Sequence, residues 1–265
     1  MIIDFHTHAF NDKIAEKAIT RLQAVANMPV YSDGRINAVD KVIKSGEIDK
    51  AVLLPVATKP SQQKIINDWA AEVKESYPDI IPFGSVHPDA DDVFEELERV
   101  KSLGLHGVKF HPDYQDFFID EERLFPIYEK CAELSLPVIF HAGWDPLSPD
   151  LIHAVPKASA TVHKKVPGMT MILAHLGGYR LWDEVEEYLV GLDNVYLDTA
   201  VIAGAISPVQ FERICKNHGT DKILFASDFP WHKASMEKEL IESTSLSDEE
   251  KKKIFGENAR KLLKI

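Results

Sequence analysis

The sequence is short of several things, and each shortage excludes a class of protein. Only two cysteines, Cys131 and Cys215, occur in 265 residues. They lie far apart, each inside a helical pattern, and read as reduced thiols of a cytoplasmic protein rather than as a disulfide. Positive charge is also short: 30 Lys and Arg face 42 Asp and Glu, a net charge of -12. That balance argues against nucleic acid, whose phosphates call for clustered cations. No apolar run approaches a membrane span, and the first residues have neither the basic nor the apolar region of a signal peptide. Linker-like and low-complexity segments are absent. So is a glycine-rich turn after the first apolar segment, which an open dinucleotide-binding sheet would carry.

What is there is ordinary globular composition, 45% apolar and 27% charged, at a length that suits one α/β barrel. Short apolar segments alternate with longer amphipathic ones. The expected strands are IIDFH (2–6), KAVLLPV (50–56), IIPFGSV (80–86), HGVKF (106–110), PVIFH (137–141), MTMILAH (169–175), NVYLDT (194–199) and KILFASD (222–228). Most are continuously hydrophobic, as strands buried on both faces should be. Between them, Val93, Leu97, Val100 and Leu103 keep helical spacing up to Gly104. Ser148-Pro149 and Ser207-Pro208 predict helix starts, with the second of these helices ending at Gly219. SDEE at 247–250 predicts a capping box. The pattern predicts an α/β fold, a single (β/α)8 TIM barrel occupying residues 1–265 as one domain. The turn-rich stretch 27–37 is a candidate lid.

In such a barrel the chemistry sits at the C-terminal ends of the strands. Those ends carry His6 and His8, His87, Lys109 and His111, His141, His175, Asp198 and Asp228. Six of the eleven histidines therefore fall on one rim. Strand alternation is expected to put Asp4, His6 and His8 on one face. A single histidine at a strand end is ordinarily a packing residue, and that reading suits His87 or His111 alone. It also suits His153, His163 and His218, which are expected on outer helices. It does not suit His6, His8, His141, His175 and Asp228 together. Imidazoles on three strands with a carboxylate on a fourth are what a first-row divalent ion accepts.

These same segments carry a resemblance. DFHTH resembles the HxH signature of the amidohydrolase superfamily of metal-dependent barrel enzymes. GVKFHP, VIFHAGW, ILAHLGG, LFASDFP and the terminal IFGENARKLL resemble ordered motifs of its amidohydrolase-2 branch, that of aminocarboxymuconate-semialdehyde decarboxylase. The resemblance spans nearly the whole chain. It implies that His6, His8, His141 and Asp228 bind one divalent ion, zinc first, with manganese, iron or nickel as alternatives. It also implies that His175 is the acid–base residue, with Asp228 able to relay a proton. In binuclear members a carbamylated lysine at the fourth strand bridges two metals, and Lys109 lies at about that position. The GVKxHP form favours one metal, which leaves Lys109, with His111 on its face, to orient a substrate oxyanion or carboxylate.

The expected reaction is hydrolysis of an amide, lactone or ester bond of a small molecule by metal-activated water. The alternative is decarboxylation of a small unsaturated or aromatic carboxylate. Arg180, and behind it Arg35 in the candidate lid, are the expected carboxylate recognisers. Trp144, Tyr114 and Trp231 either line the pocket or pack within their loops. A degenerate barrel acting as a binding scaffold is disfavoured, because gathered imidazoles without partners are costly. The expected partner is a small molecule, with no nucleic acid and no membrane, and the expected assembly is a homodimer, the commonest symmetry.

Overall fold

The apolar segments form eight strands in the computed structural model, which describes residues 1–265. They are β1 (Ile3–Thr7), β2 (Lys50–Leu53), β3 (Ile80–Pro82), β4 (Val108–Phe110), β5 (Val138–Phe140), β6 (Met171–Leu173), β7 (Val195–Asp198) and β8 (Ile223–Leu224). All paired neighbours are parallel, in one ladder from β1 to β3 and another from β4 to β8. Backbone bonds join the two ladders into a ring. Gly84 N–H donates to Gly107 O and Lys109 N–H to Gly84 O, each at 2.8 Å, which ties β3 to β4. Phe5 N–H donates to Phe225 O and Asp228 N–H to His6 O, again at 2.8 Å, which ties β8 to β1. The closed parallel sheet, with helices between its strands, is the expected (β/α)8 barrel.

The strand residues sort into two cores. Ile3, Phe5, Val52, Leu54, Ile81, Phe83, Ile139, Ile172 and Leu224 meet inside the barrel. The alternate residues, among them Leu53, Val108, Phe110, Val138, Phe140, Leu173 and Leu197, face the helices in a larger core. Burying each such side chain contributes about 1.5–3 kcal/mol.

The regular strands are shorter than the apolar segments that encode them. His111 and His141 directly follow β4 and β5, while His175 lies two residues beyond β6 and Asp228 four beyond β8. At His175 (φ 58°) and Asp228 (φ 66°) the backbone turns left-handed, which ends the extended geometry and points both side chains across the rim.

Helix signals are realised unevenly. A helix spans Val93–Ser102, and Gly104 follows it at positive φ. Ser207 Oγ accepts from Gln210 N–H at 3.2 Å to open Pro208–His218, with Gly219 as the C-cap. Ser247 and Glu250 form the expected capping box. No helix starts at Pro149. The Ser148 hydroxyl donates instead to Asp113, and the helix begins at Pro156. Both cysteines are free and buried, and burial raises the Cys131 thiol to about 12. No helix is long and apolar enough to cross a membrane.

Candidate metal centre

The first feature of the rim is an irregularity in β1. Three residues advance from Asp4 to Thr7 while β2 advances two, from Ala51 to Leu53. Such a bulge re-aims side chains. Phe5 and His6 therefore both turn inward, and His8 follows them, whereas Asp4 turns away to bond Ser227. The expected shared face of Asp4, His6 and His8 is thus corrected: the two histidines converge, and Asp4 does not join them.

His6 Nε2 and His8 Nε2 lie 3.1 Å apart, and Asp228 Oδ1 lies 3.5 Å from the first and 3.1 Å from the second. Around a first-row ion with bonds of about 2.0–2.2 Å, neighbouring donors sit roughly 3.0–3.5 Å apart. The three donors fit that spacing. Their protonation fits as well. His6 Nδ1 meets Asp198 Oδ2 at 2.7 Å, and His8 Nδ1 meets the Leu54 carbonyl at 2.8 Å. Both partners only accept, so both Nδ1 atoms carry the proton and both Nε2 atoms present lone pairs inward. Asp228 Oδ1 is buried without a hydrogen-bond partner. Burial and the nearby Lys109 ammonium hold the His6 imidazole well below its usual range, which keeps it neutral. Lone pairs from two imidazoles and a carboxylate meet at one point, and a divalent cation is what satisfies them.

Lys109 is wholly buried, its Nζ 3.4 Å from His6 Nε2. Burial pulls its ammonium down to about 8 against the opposing pull of Asp198, Asp228 and Asp145. His175 Nδ1 meets the Ala200 carbonyl at 2.8 Å, and its Nε2 meets His141 Nδ1 at 3.0 Å. This contact decides the position of His141. With Nδ1 engaged by His175, its Nε2 turns away from the trio toward Asp145 Oδ2 at 3.5 Å and Asp113 Oδ2 at 3.8 Å. The expected fourth ligand therefore faces a second group, made of His111, His141 and Asp145.

A sequence profile of the amidohydrolase family (Amidohydro_2) matches residues 3–265. The chain belongs to the amidohydrolase family. A gamma-resorcylate decarboxylase of Polaromonas sp. (strain JS666 / ATCC BAA-500) is 24% identical over 250 residues, 75% of each chain. An uncharacterised TIM-barrel protein of Bordetella bronchiseptica has a TM-score of 0.81 at 19% identity, covering 99% of this chain and 98% of its own. A dihydroxybenzoic acid decarboxylase of Polaromonas sp. JS666, solved with manganese and the inhibitor 2-nitroresorcinol, has a TM-score of 0.68 at 18% identity, covering 99% and 96%. Amidohydrolases of this family are metal-dependent enzymes, in keeping with the donor cluster.

The remaining expected residues of this amidohydrolase are placed as follows. His111 is buried between Tyr114 and His141, stacked on them at 3.7 and 4.2 Å between ring centroids. Trp144 and Arg180 meet, with the guanidinium 4.0 Å from the indole centroid. Gly143 makes this meeting possible. It holds φ 87°, and a Cβ there would lie 2.0 Å from Tyr179 N. The backbones of 142–144 and 179 can then bond directly. Trp231 N–H donates to Asp228 O at 2.8 Å. Arg35 pairs with Asp33 at 2.8 Å. The stretch 27–37 touches the β8 loop, with Tyr31 N–H on Pro230 O at 2.8 Å.

Other site residues were missed from the sequence. Asp198 lies on the rim, but nothing in the sequence marks its hold on His6. Asp113 and Asp145, two and four positions after rim histidines, lie in loops that carry no periodic signal. His153, expected on an outer helix, is buried in a loop with Nδ1 2.9 Å from Asp113 Oδ1.

Proposed function

We propose that this amidohydrolase is a divalent-metal-dependent decarboxylase of a small aromatic carboxylate. The observation that carries the reading is the convergence of His6 Nε2, His8 Nε2 and the unpartnered Asp228 Oδ1 beside the buried Lys109 cation. The named relatives support decarboxylation. Hydrolysis of an amide, lactone or ester, expected first from the sequence, has support from family membership alone.

The proposed ligands are His6, His8 and Asp228, with zinc or manganese suited to their mixed nitrogen and oxygen donors. A bound ion would supply a Lewis acid for a substrate oxygen. The protein's own groups do the rest. Asp198 fixes the His6 tautomer and, through His175 N–H at 2.8 Å, the backbone that carries His175. Lys109 offsets the charge of a carboxylate or phenolate in a site from which its own burial excludes water. Decarboxylation exchanges a carbon–carboxylate bond for a carbon–hydrogen bond, so a proton must reach the ring carbon. His175, its Nδ1 pinned on Ala200 O, is assigned to deliver that proton as an imidazolium, once its Nε2 has left the contact with His141 Nδ1 that engages it at rest, with Asp228 as its relay. Arg180, stacked on Trp144, recognises a substrate anion.

The test incubates manganese-loaded protein in deuterium oxide with a panel of hydroxybenzoates, and with aryl esters and lactones. Release of carbon dioxide with one deuterium on the vacated ring carbon is the expected result. Ester or lactone turnover without carbon dioxide from any carboxylate would overturn the reading in favour of hydrolysis.

A further inference from the structure

We infer, on the reading that His175 delivers the proton, that Trp182 is a positioning residue for it and holds the carbonyl side of the turn that carries the imidazole. Beyond Leu173, the end of β6, the backbone runs left-handed for three residues in a row: His175 at φ 58°, Leu176 at φ 56° and Gly177 at φ 85°. Only the glycine adopts that conformation freely, and the two residues before it are strained there. A strained turn of this kind persists where bonds from its surroundings hold it.

The holding bonds come from two elements. From β7 and the residues after it, Asp198 Oδ1 accepts from His175 N–H at 2.8 Å, and the Asp198 carbonyl accepts from Leu176 N–H at 2.7 Å. The Ala200 carbonyl meets His175 Nδ1 at 2.8 Å. The His175 carbonyl is held from elsewhere. It accepts from the Trp182 indole N–H at 3.1 Å, joined by Gly178 N–H of the turn itself at 3.3 Å. Trp182 is buried, and its single polar atom, which can only donate, is spent on this oxygen. The residue opens the helix Trp182–Tyr188 and packs edge-on against Tyr179, with centroids 5.8 Å apart and planes at 87°. Tyr179 in turn meets the His175 ring at 6.0 Å and 70°. The indole thus bounds the imidazole through Tyr179 and fixes its main chain directly. Without the indole N–H, the peptide after His175 keeps no carbonyl bond from outside the turn. It can then rotate and carry the ring off the Ala200 carbonyl. A misplacement of about 1 Å at a reacting group costs up to roughly 100-fold in rate. The groups assigned to bind metal and substrate stay where they were, so the loss falls on kcat.

The experiment compares manganese-loaded wild type, Trp182→Phe and Trp182→His. The five-membered ring of indole overlays imidazole, so Trp182→His keeps an N–H near the place of the indole donor and gives up bulk. Trp182→Phe keeps an apolar ring and gives up the donor. Steady-state kinetics use whichever carboxylate, ester or lactone the wild type turns over best, and crystal structures of both variants record the His175 turn. Trp182→Phe is expected to lose about tenfold or more in kcat, with KM and metal per chain unchanged and the His175 ring displaced from the Ala200 carbonyl. Trp182→His is expected to recover most of that loss. Trp182→Leu takes the place of Trp182→Phe should that protein fail to fold. Equal losses in both variants, or a kcat loss with His175 unmoved, would reduce Trp182 to packing and overturn the positioning role. Wild-type kcat in Trp182→Phe would overturn it too. A wild type that turns over none of these compounds removes the proposed function alone. The crystal structures then still decide, and a His175 turn left unchanged in Trp182→Phe overturns the positioning role.

Discussion

Replacing Asp198 with asparagine tests whether the protein fixes its metal-binding tautomer. The carboxylate does two jobs. Oδ1 accepts from His175 N–H at 2.8 Å and Ala200 N–H at 3.1 Å, and Oδ2 accepts the His6 Nδ1 proton at 2.7 Å. In Asp198→Asn the amide oxygen keeps the two backbone donors, so the amide NH2 must face His6. Nδ1 then becomes an acceptor, and the proton moves to Nε2, where it covers the lone pair aimed at His8 and Asp228. Losing such an outer partner typically weakens metal binding about 10–100-fold, or roughly 1.4–2.7 kcal/mol. Metal-free stability should fall by only about 1–2 kcal/mol, the difference between a charge-assisted and a neutral hydrogen bond. Asp198→Ala should cost more, about 1–3 kcal/mol for each of the three buried N–H groups it strands, those of the His175 and Ala200 backbone and of His6 Nδ1. Competition with a chromophoric chelator measures the affinity, and urea unfolding in excess chelator measures the stability. An Asp198→Asn protein with reduced stability but wild-type metal affinity would refute the tautomer argument.

Three further outcomes are expected. Burial raises the Glu237 carboxyl from 4.5 to about 7, with His232 and the Ala203 N–H working in the opposite direction. A raised folded-state value means that its contribution to stability is complete below about pH 4.5 and is lost as pH climbs toward 7, by up to about 3 kcal/mol. Glu237→Gln should lack that loss between pH 5 and 8 in urea titrations, and an unchanged pH slope would count against it. Ile139→Ala, inside the barrel, should cost about 2–5 kcal/mol while leaving metal per folded chain unchanged, as unfolding curves and elemental analysis would show. Arg180→Ala should raise KM for a carboxylate substrate about tenfold with little change in kcat, because the guanidinium is assigned to binding. A kcat loss at constant KM would place it in the chemical step instead.

The fold was legible because the barrel writes itself as repeated apolar segments, and because a parallel strand buried on both faces needs no finer pattern. The trio was legible for a related reason: β1 and β8 lead into His6, His8 and Asp228, polar residues with no packing rationale. What was hidden depends on single-residue geometry. Alternation alone puts Asp4 beside His6, and only the extra residue of the β1 bulge separates them. Ser148-Pro149 has the form of a helix start, but the hydroxyl is drawn to Asp113, a contact 35 positions away that no local signal announces. His141 has the sequence position of a ligand in the first group. Which group it faces depends on its ring orientation, set by the contact with His175. Asp113 and Asp145 sit in loops after the strands, where periodicity carries no information. Their spacing of two and four from rim histidines was the available signal.

Anomalous diffraction from crystals soaked in manganese tests the central claim most directly. The account predicts a peak at about 2.0–2.3 Å from His6 Nε2, His8 Nε2 and Asp228 Oδ1 together. A well-ordered crystal whose manganese lies elsewhere, with those three atoms bonded only to one another or to water, would contradict it.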